Sequence, residues 1–189
     1  VEQVLAARAD TAWIGHTPCL DRAELVAQLE AAGVRVVGPS AQIIRDLADP
    51  ARLAELGRQA GLSPVPEHLT SADWRRIEID VLADSAGTVW TLGLRDASVR
   101  RGNTPVLAEM PAPRVSDTTA GAMSHAARRL VRAAAYRGAG VVELALGHDG
   151  ESFWLVGVDT LARTEHALLE EITGASFIGL RLRLAAGGS

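Results

Sequence analysis

Lysine is absent from this 189-residue chain: all 19 basic residues are arginine. Lysine offers a compact, titratable amine, and arginine does not. The chain therefore cannot hold a cofactor on a lysine amide or form a Schiff base from its own side chains. A GC-rich genome favouring arginine accounts for the same bias. Cysteine is nearly absent too, with Cys19 alone, which excludes a disulfide framework and a cysteine-rich metal site. No apolar run reaches membrane-spanning length, and Val1–Asp10 lacks a signal-peptide pattern. The net charge of -4 leaves no basic footprint for nucleic acid. His16, His68, His125, His148 and His166 are scattered without metal spacing, and no G-x-S-x-G elbow occurs. The expectation is a soluble cytoplasmic protein, with neither membrane nor nucleic acid as partner.

What is present is a globular composition, 48% hydrophobic and 22% charged. The chain is organised around residues 75–113, RRIEIDVLADSAGTVWTLGLRDASVRRGNTPVLAEMPAP. Ile77, Ile79 and Val81 alternate with Glu78 and Asp80, which predicts a half-buried strand. Ser85-Ala86-Gly87 supplies a turn, and Thr88–Leu94 returns as a second strand. Pro111 and Pro113 stop a third strand soon after Glu109. Upstream, Thr11–Gly15 and Arg35–Val37 read as short strands. Between them Asp21 caps a helix to Ala32, with Leu25, Val26, Leu29 and Ala32 on one face. Ser40 caps the next helix, and Asp49-Pro50 opens another. Strand, helix, strand, helix is a parallel α/β unit. Downstream, Asp117–Tyr136 reads as an amphipathic helix with Ala122, Met123, Ala126, Ala127, Leu130, Val131 and Ala134 on one face, broken by Gly138 and Gly140. Arg128, Arg129 and Arg132 read as its wet side. Val141–Leu146 and Ser152–Val158 form a hairpin through His148-Asp149-Gly150. Two helices follow, Glu165–Thr173 and Phe177–Ala186, the second with Arg181 and Arg183 on its polar side.

These segments closely resemble the ATP-grasp domain of biotin carboxylase. The 75–113 run matches the framework of that family's RH-I-E, ERDCS, QRR and EE-AP-P motifs. GVRVVGPSAQIIRDLADPARLAELGRQAGLSPVP resembles the end of its N-terminal α/β subdomain. YRGAGVVELALGHDGESFWLVGVDTLARTEHALLEEITG resembles its GY-x-GAGT-x-E-F … F-x-E-x-N-x-R-x-Q-V-EH … TG run. The resemblance implies a partial ATP-grasp fold of mixed α/β class. Residues 1–66 would be a partial N-terminal α/β subdomain, and 75–189 a mainly antiparallel sheet with helices. Residues 67–74 would be a short linker where the family carries a lid with a phosphate loop and a nucleotide-binding lysine.

The family's chemistry consumes ATP and bicarbonate to carboxylate biotin, with Mg²⁺ held by carboxylates and an amide. By resemblance, Glu143 matches the first metal-binding Glu, Gly157 replaces the second, and Asp159 replaces the Asn. Glu143 and Asp159 are therefore the metal candidates, although paired carboxylates on adjacent strands also occur as a solvated face. Leu161 stands where the family has its catalytic Arg, and Arg163 lies two positions further on. Glu165 matches the proposed general base, but a Glu opening a helix reads first as a cap. In the hairpin loop Arg100 and Asn103 replace Gln and His, and Pro105 replaces the bicarbonate-binding Lys. Arg76 replaces the His of RH-I-E. Glu165, Arg163 and Arg100 are the vestigial catalytic candidates.

Two readings follow. The first is a catalytically degenerate biotin carboxylase-like domain needing no cofactor, a structural or protein-interaction module in a larger enzyme system. It would self-associate or meet a protein partner through the face around Phe177–Leu184. The second is an active ATP-dependent carboxylase component, using ATP and Mg²⁺ and completed by a partner chain. A chain lacking an initiator Met and ending in Gly-Gly-Ser also reads as a piece of a longer polypeptide.

Overall fold

A small parallel sheet and a larger antiparallel one carry the chain in a computed structural model that describes residues 1–15, 22–102, 104–160 and 166–188. The predicted cap Asp21, the candidates Arg163 and Glu165, and Leu161 at the family's catalytic Arg position lie outside the described residues, as does Asn103.

The first unit runs α1 (Glu2–Ala6), β1 (Thr11–Ala12), α2 (Arg22–Ala31), β2 (Arg35–Val36) and α3 (Ala41–Ala48) into α4 (Pro50–Gln59). β1 and β2 pair in parallel, as the strand–helix–strand order requires. Val26 and Leu29 of α2 pack with Ile14, Val34 and Ala41, whereas Ala32, expected on that face, is exposed beyond the helix end. Ser40 Oγ accepts the Ile43 N–H, and Asp49 Oδ1 accepts the Arg52 N–H at 2.7 Å. These two caps satisfy amide groups that would otherwise end the helices unpaired.

Residues 67–73 form turns only, held where Asp73 Oδ2 accepts the Thr70 N–H at 2.7 Å. Trp74, expected in the linker, opens the first long strand. The second unit is β3 (Trp74–Ala83), β4 (Val89–Arg101), β5 (Thr104–Glu109), α5 (Asp117–Ala133), β6 (Gly138–Gly147), β7 (Phe153–Asp159), α6 (His166–Thr173) and α7 (Phe177–Ala185). Its strand order is β5-β4-β3-β6-β7, antiparallel throughout, with β3 and β6 in the middle. One face packs Ile77, Ile79, Val81, Val142, Leu144 and Leu146 against Met123, Ala127, Leu130 and Val131 of α5. On the other face Leu82 and Ala139 pack against Leu169 of α6 and Phe177 of α7.

Several expectations are corrected. The strand around Glu78 and Asp80 is buried on both faces, because those two side chains point into an ionic cluster and not into water. Ala122 is exposed. α5 ends at Ala133, ahead of Ala135 with its left-handed φ of 48°, and Gly138 and Gly140 belong to β6. Both glycines are needed for close approach. A Cβ on Gly138 would lie 3.1 Å from Gly38 Cα, and one on Gly140 would lie 2.7 Å from Tyr136 Oη. Arg129 and Arg132 are exposed, as a wet side requires, and Arg128 is half-buried; beyond that reading the three donate to Thr91 Oγ1 (Arg128), Gln59 O (Arg129) and Gly87 O (Arg132). Arg181 is 3% exposed, not on a polar surface.

Candidate functional site

Strand alternation puts Trp74, Arg76, Glu78 and Asp80 on one face of β3, and the sheet register sets Glu143 of β6 directly beside Glu78. Arg95 of β4 flanks Glu78 on the other side. Two carboxylates side by side in a dry sheet repel each other unless cations lie between them. Arginine meets that need. Arg95 donates through Nε and Nη2 to Glu78 Oε2, at 3.2 and 2.8 Å, and through Nη1 to Asp80 Oδ2 at 2.7 Å. Arg100 Nη1 reaches Glu78 Oε1 at 3.2 Å, and Arg76 Nη1 reaches Glu143 Oε2 at 2.5 Å. Three guanidinium groups thus face three carboxylates. Arg95 and Glu78 are both 0% exposed. Such burial is tolerable only because each charge is paired and hydrogen-bonded.

The Arg76 guanidinium also lies 5.4 Å from the Trp74 ring centroid, within cation–π range. This stack fixes Arg76 over the sheet, so it meets Glu143 with little freedom left to lose. On the opposite face of β3, Arg75 grips Asp96 of β4 at 2.7 Å and the Pro113 carbonyl at 2.6 Å, which ties the turn after β5 back to the sheet. Burial opposes ionisation of Asp96. Hydrogen bonds from Ser98 and Arg75 outweigh it and hold the carboxyl below its ordinary value.

Across β7, Gly157 is the register partner of Glu143, and Asp159 pairs with Val141. Asp159 therefore shares the Glu143 face, one diagonal step away, roughly 7–8 Å between such positions. The metal candidates Glu143 and Asp159 are thus brought to neighbouring positions of one face, and Arg100 joins them through Glu78. Among the described residues no group of three or more His, Cys, Asp or Glu comes together so as to hold a metal ion. Sequence reasoning missed Arg95 altogether and treated Arg76 only as a replaced histidine. Part of their signal was available: Arg76, Glu78 and Asp80 occupy alternate positions of one strand, and the next strand carries Arg95 across a short turn.

A family model described as the ATP binding domain of the carbamoyl-phosphate synthase L chain matches residues 31–189. Biotin carboxylase 1 of Bacillus subtilis (strain 168) is 33% identical over 115 residues, which cover 61% of this chain and 26% of that protein. The propionyl-CoA carboxylase alpha chain of Ruegeria pomeroyi is 39% identical over 114 residues, 60% of this chain and 16% of its own. Among solved structures, a complete multifunctional pyruvate carboxylase from Rhizobium etli superposes with a TM-score of 0.91 at 26% identity, over 100% of this chain and 17% of that one. The chain thus matches a minor part of the length of each of these relatives. No helix among the described residues is long and apolar enough to cross a membrane.

Proposed function

This chain belongs to the carbamoyl-phosphate synthase L chain ATP-binding domain family, in its biotin carboxylase-like form, and on that premise we propose that it is a scaffold domain that does not carboxylate. The observation that carries this reading is the Arg76–Glu143 pair. Mg²⁺ demands near-octahedral oxygen ligands at roughly 2.0–2.1 Å. The carboxylate at the family's metal position instead accepts from a guanidinium held by Trp74, and the residue opposite it, Gly157, brings no oxygen from a side chain. These residues do not suit Mg²⁺, and none of the chain's side chains is the lysine by which the family binds nucleotide and bicarbonate. Arg76 stands in for the cation as the counter-charge of Glu143, and the face becomes a self-neutralised part of the core.

The test is phosphate release with ATP, Mg²⁺ and bicarbonate, with and without free biotin. The expected outcome is none above buffer. Release that vanishes when bicarbonate is withheld would sink the proposal.

A second reading, an ATP- and Mg²⁺-using component completed by a partner chain, draws on Glu78, Asp80 and Glu143 sharing one face. As a scaffold, the domain would work by association, with itself or with other domains. Phe177, Leu180 and Leu184 of α7 pack inward, while Ile178 and Leu182 stay 42% and 46% exposed. Leu182→Glu, followed by light scattering, checks that face: a dimer that becomes a monomer supports it, and a parent that is monomeric at high concentration removes it.

A further inference from the structure

A second arginine cluster lies at the far end of the sheet, where the two units meet. β2 ends against the start of β6, with Gly38 and Gly138 in contact, and α7 passes beside them. Between them is a cavity of about 290 Å³. Arg35, Arg137 and Arg181 line it, with Val37, Ala83 and Leu184 among its apolar walls, and among the described residues no Asp or Glu borders it. Gly138 lies five residues from Glu143 along β6, about 17 Å at strand rise, so the cavity is separate from the ionic face.

Arg181 is the informative residue. It is 3% exposed, and its Nε has no hydrogen-bond partner. One side of its guanidinium rests against the Trp13 ring at 5.3 Å. Among the described residues, the charged and titratable groups acting on it are the Tyr136 phenol and Arg22, a like charge. Tyr136 is committed elsewhere, since its hydroxyl donates to the Ala139 carbonyl at 2.8 Å. Arg22 donates to Thr160 Oγ1 at 3.1 Å. Among the described residues no carboxylate forms an ion pair with Arg181. Burial pushes the Arg181 guanidinium below its ordinary pKa, the direction expected of a cation left without an anion. A buried, unpaired charge is among the costliest features a fold can carry.

We infer that this cleft binds a small organic anion, a phosphate or a carboxylate, through Arg35, Arg137 and Arg181. The guanidinium fork matches both oxyanions in a two-point grip. Arg35 and Arg137 are exposed and free to close over the ligand from the rim, while Arg181 supplies the fixed charge at its base. The apolar walls favour an anion with a short hydrocarbon body over a bare inorganic ion. The inference stands on its own geometry and does not depend on whether the ionic face is catalytic.

The experiment titrates the 189-residue chain with inorganic phosphate and, separately, with succinate, at constant ionic strength balanced by chloride. Binding is read by calorimetry and by the rise in melting temperature that a native-state ligand produces. Saturable binding of either anion is expected, with succinate, which carries the hydrocarbon body, the stronger of the two. Arg181→Met should weaken it by about tenfold or more, the loss of one charged two-point contact. The same variant without ligand should melt at or above the parent temperature, because an unpaired buried charge is gone. Arg35→Ala with Arg137→Ala, both at exposed positions, should weaken binding while leaving the fold intact, which keeps the test decisive if Arg181→Met does not fold. Arg58→Ala, on exposed α4, should change nothing. Absence of saturable binding above the chloride control, or binding undiminished in the Arg35/Arg137 double variant, would overturn the inference.

Discussion

The molecule carries two arginine clusters, and they are opposites in electrostatic terms. At the ionic face, Arg76, Arg95 and Arg100 meet Glu78, Asp80 and Glu143 one for one. At the cleft, Arg35, Arg137 and Arg181 meet no carboxylate among the described residues that border the cavity. A matched cluster is complete and needs nothing from outside. An unmatched one stores an unfavourable charge that a ligand relieves. On the two proposals above, the position that resembles a catalytic centre is the closed one, and the position that resembles none is the one that takes a ligand.

The largest effect expected from breaking this contrast is at Arg95. Arg95→Met leaves Glu78 and Asp80 buried without their shared cation, so denaturant melts should show a loss of about 3–5 kcal/mol. Adding Glu78→Gln and Asp80→Asn to the same chain should return most of it, since amides carry no charge to strand. If Arg95→Met alone proved neutral, the cluster would not be the closed, dry network described here.

The next effect separates the two clusters by sign. Without any added anion, Arg181→Met should leave stability unchanged or raised, opposite to Arg95→Met. Parallel losses at both positions would mean that each arginine is held by partners in the same way, and the contrast would fail.

The smallest effect is the pH dependence at Asp96, the outer tie between β3 and β4. Its folded pKa lies below the ordinary value of 3.8. A depressed carboxyl contributes stability that is complete above the unfolded value and lost as pH falls through the folded one. Thermal melts should therefore fall more steeply below about pH 4 in the parent than in Asp96→Asn. Equal acid slopes in the two chains would remove Asp96 from the account.

The fold was legible because its signals are local. Ser40 and Asp49 cap helices where their chemistry says they should, and the apolar period of β3 and α5 survives in the core. The errors arose where tertiary packing overrides the local pattern. Alternation at Glu78 and Asp80 reads as a wet face, but α6 and α7 cover part of that side of the sheet and Arg95 neutralises the rest. Arg181 reads as the polar side of α7, yet the helix turns it toward Trp13. Gly138 reads as a helix breaker, while its role is to let β6 touch Gly38 across the chain. At the candidate site, Glu143 and Asp159 were correctly set on adjacent strands. The occupant of Glu143 was not legible, because only the folded register brings Arg76 of β3 to it.

The central claim is that Arg76 has taken the place of a metal at Glu143. The most direct measurement is calorimetric titration of the parent chain and of Arg76→Ala with Mg²⁺ and ATP. The account predicts no saturable heat from the parent. Micromolar binding by the parent, abolished by Glu143→Ala with an unchanged melting temperature, would contradict it.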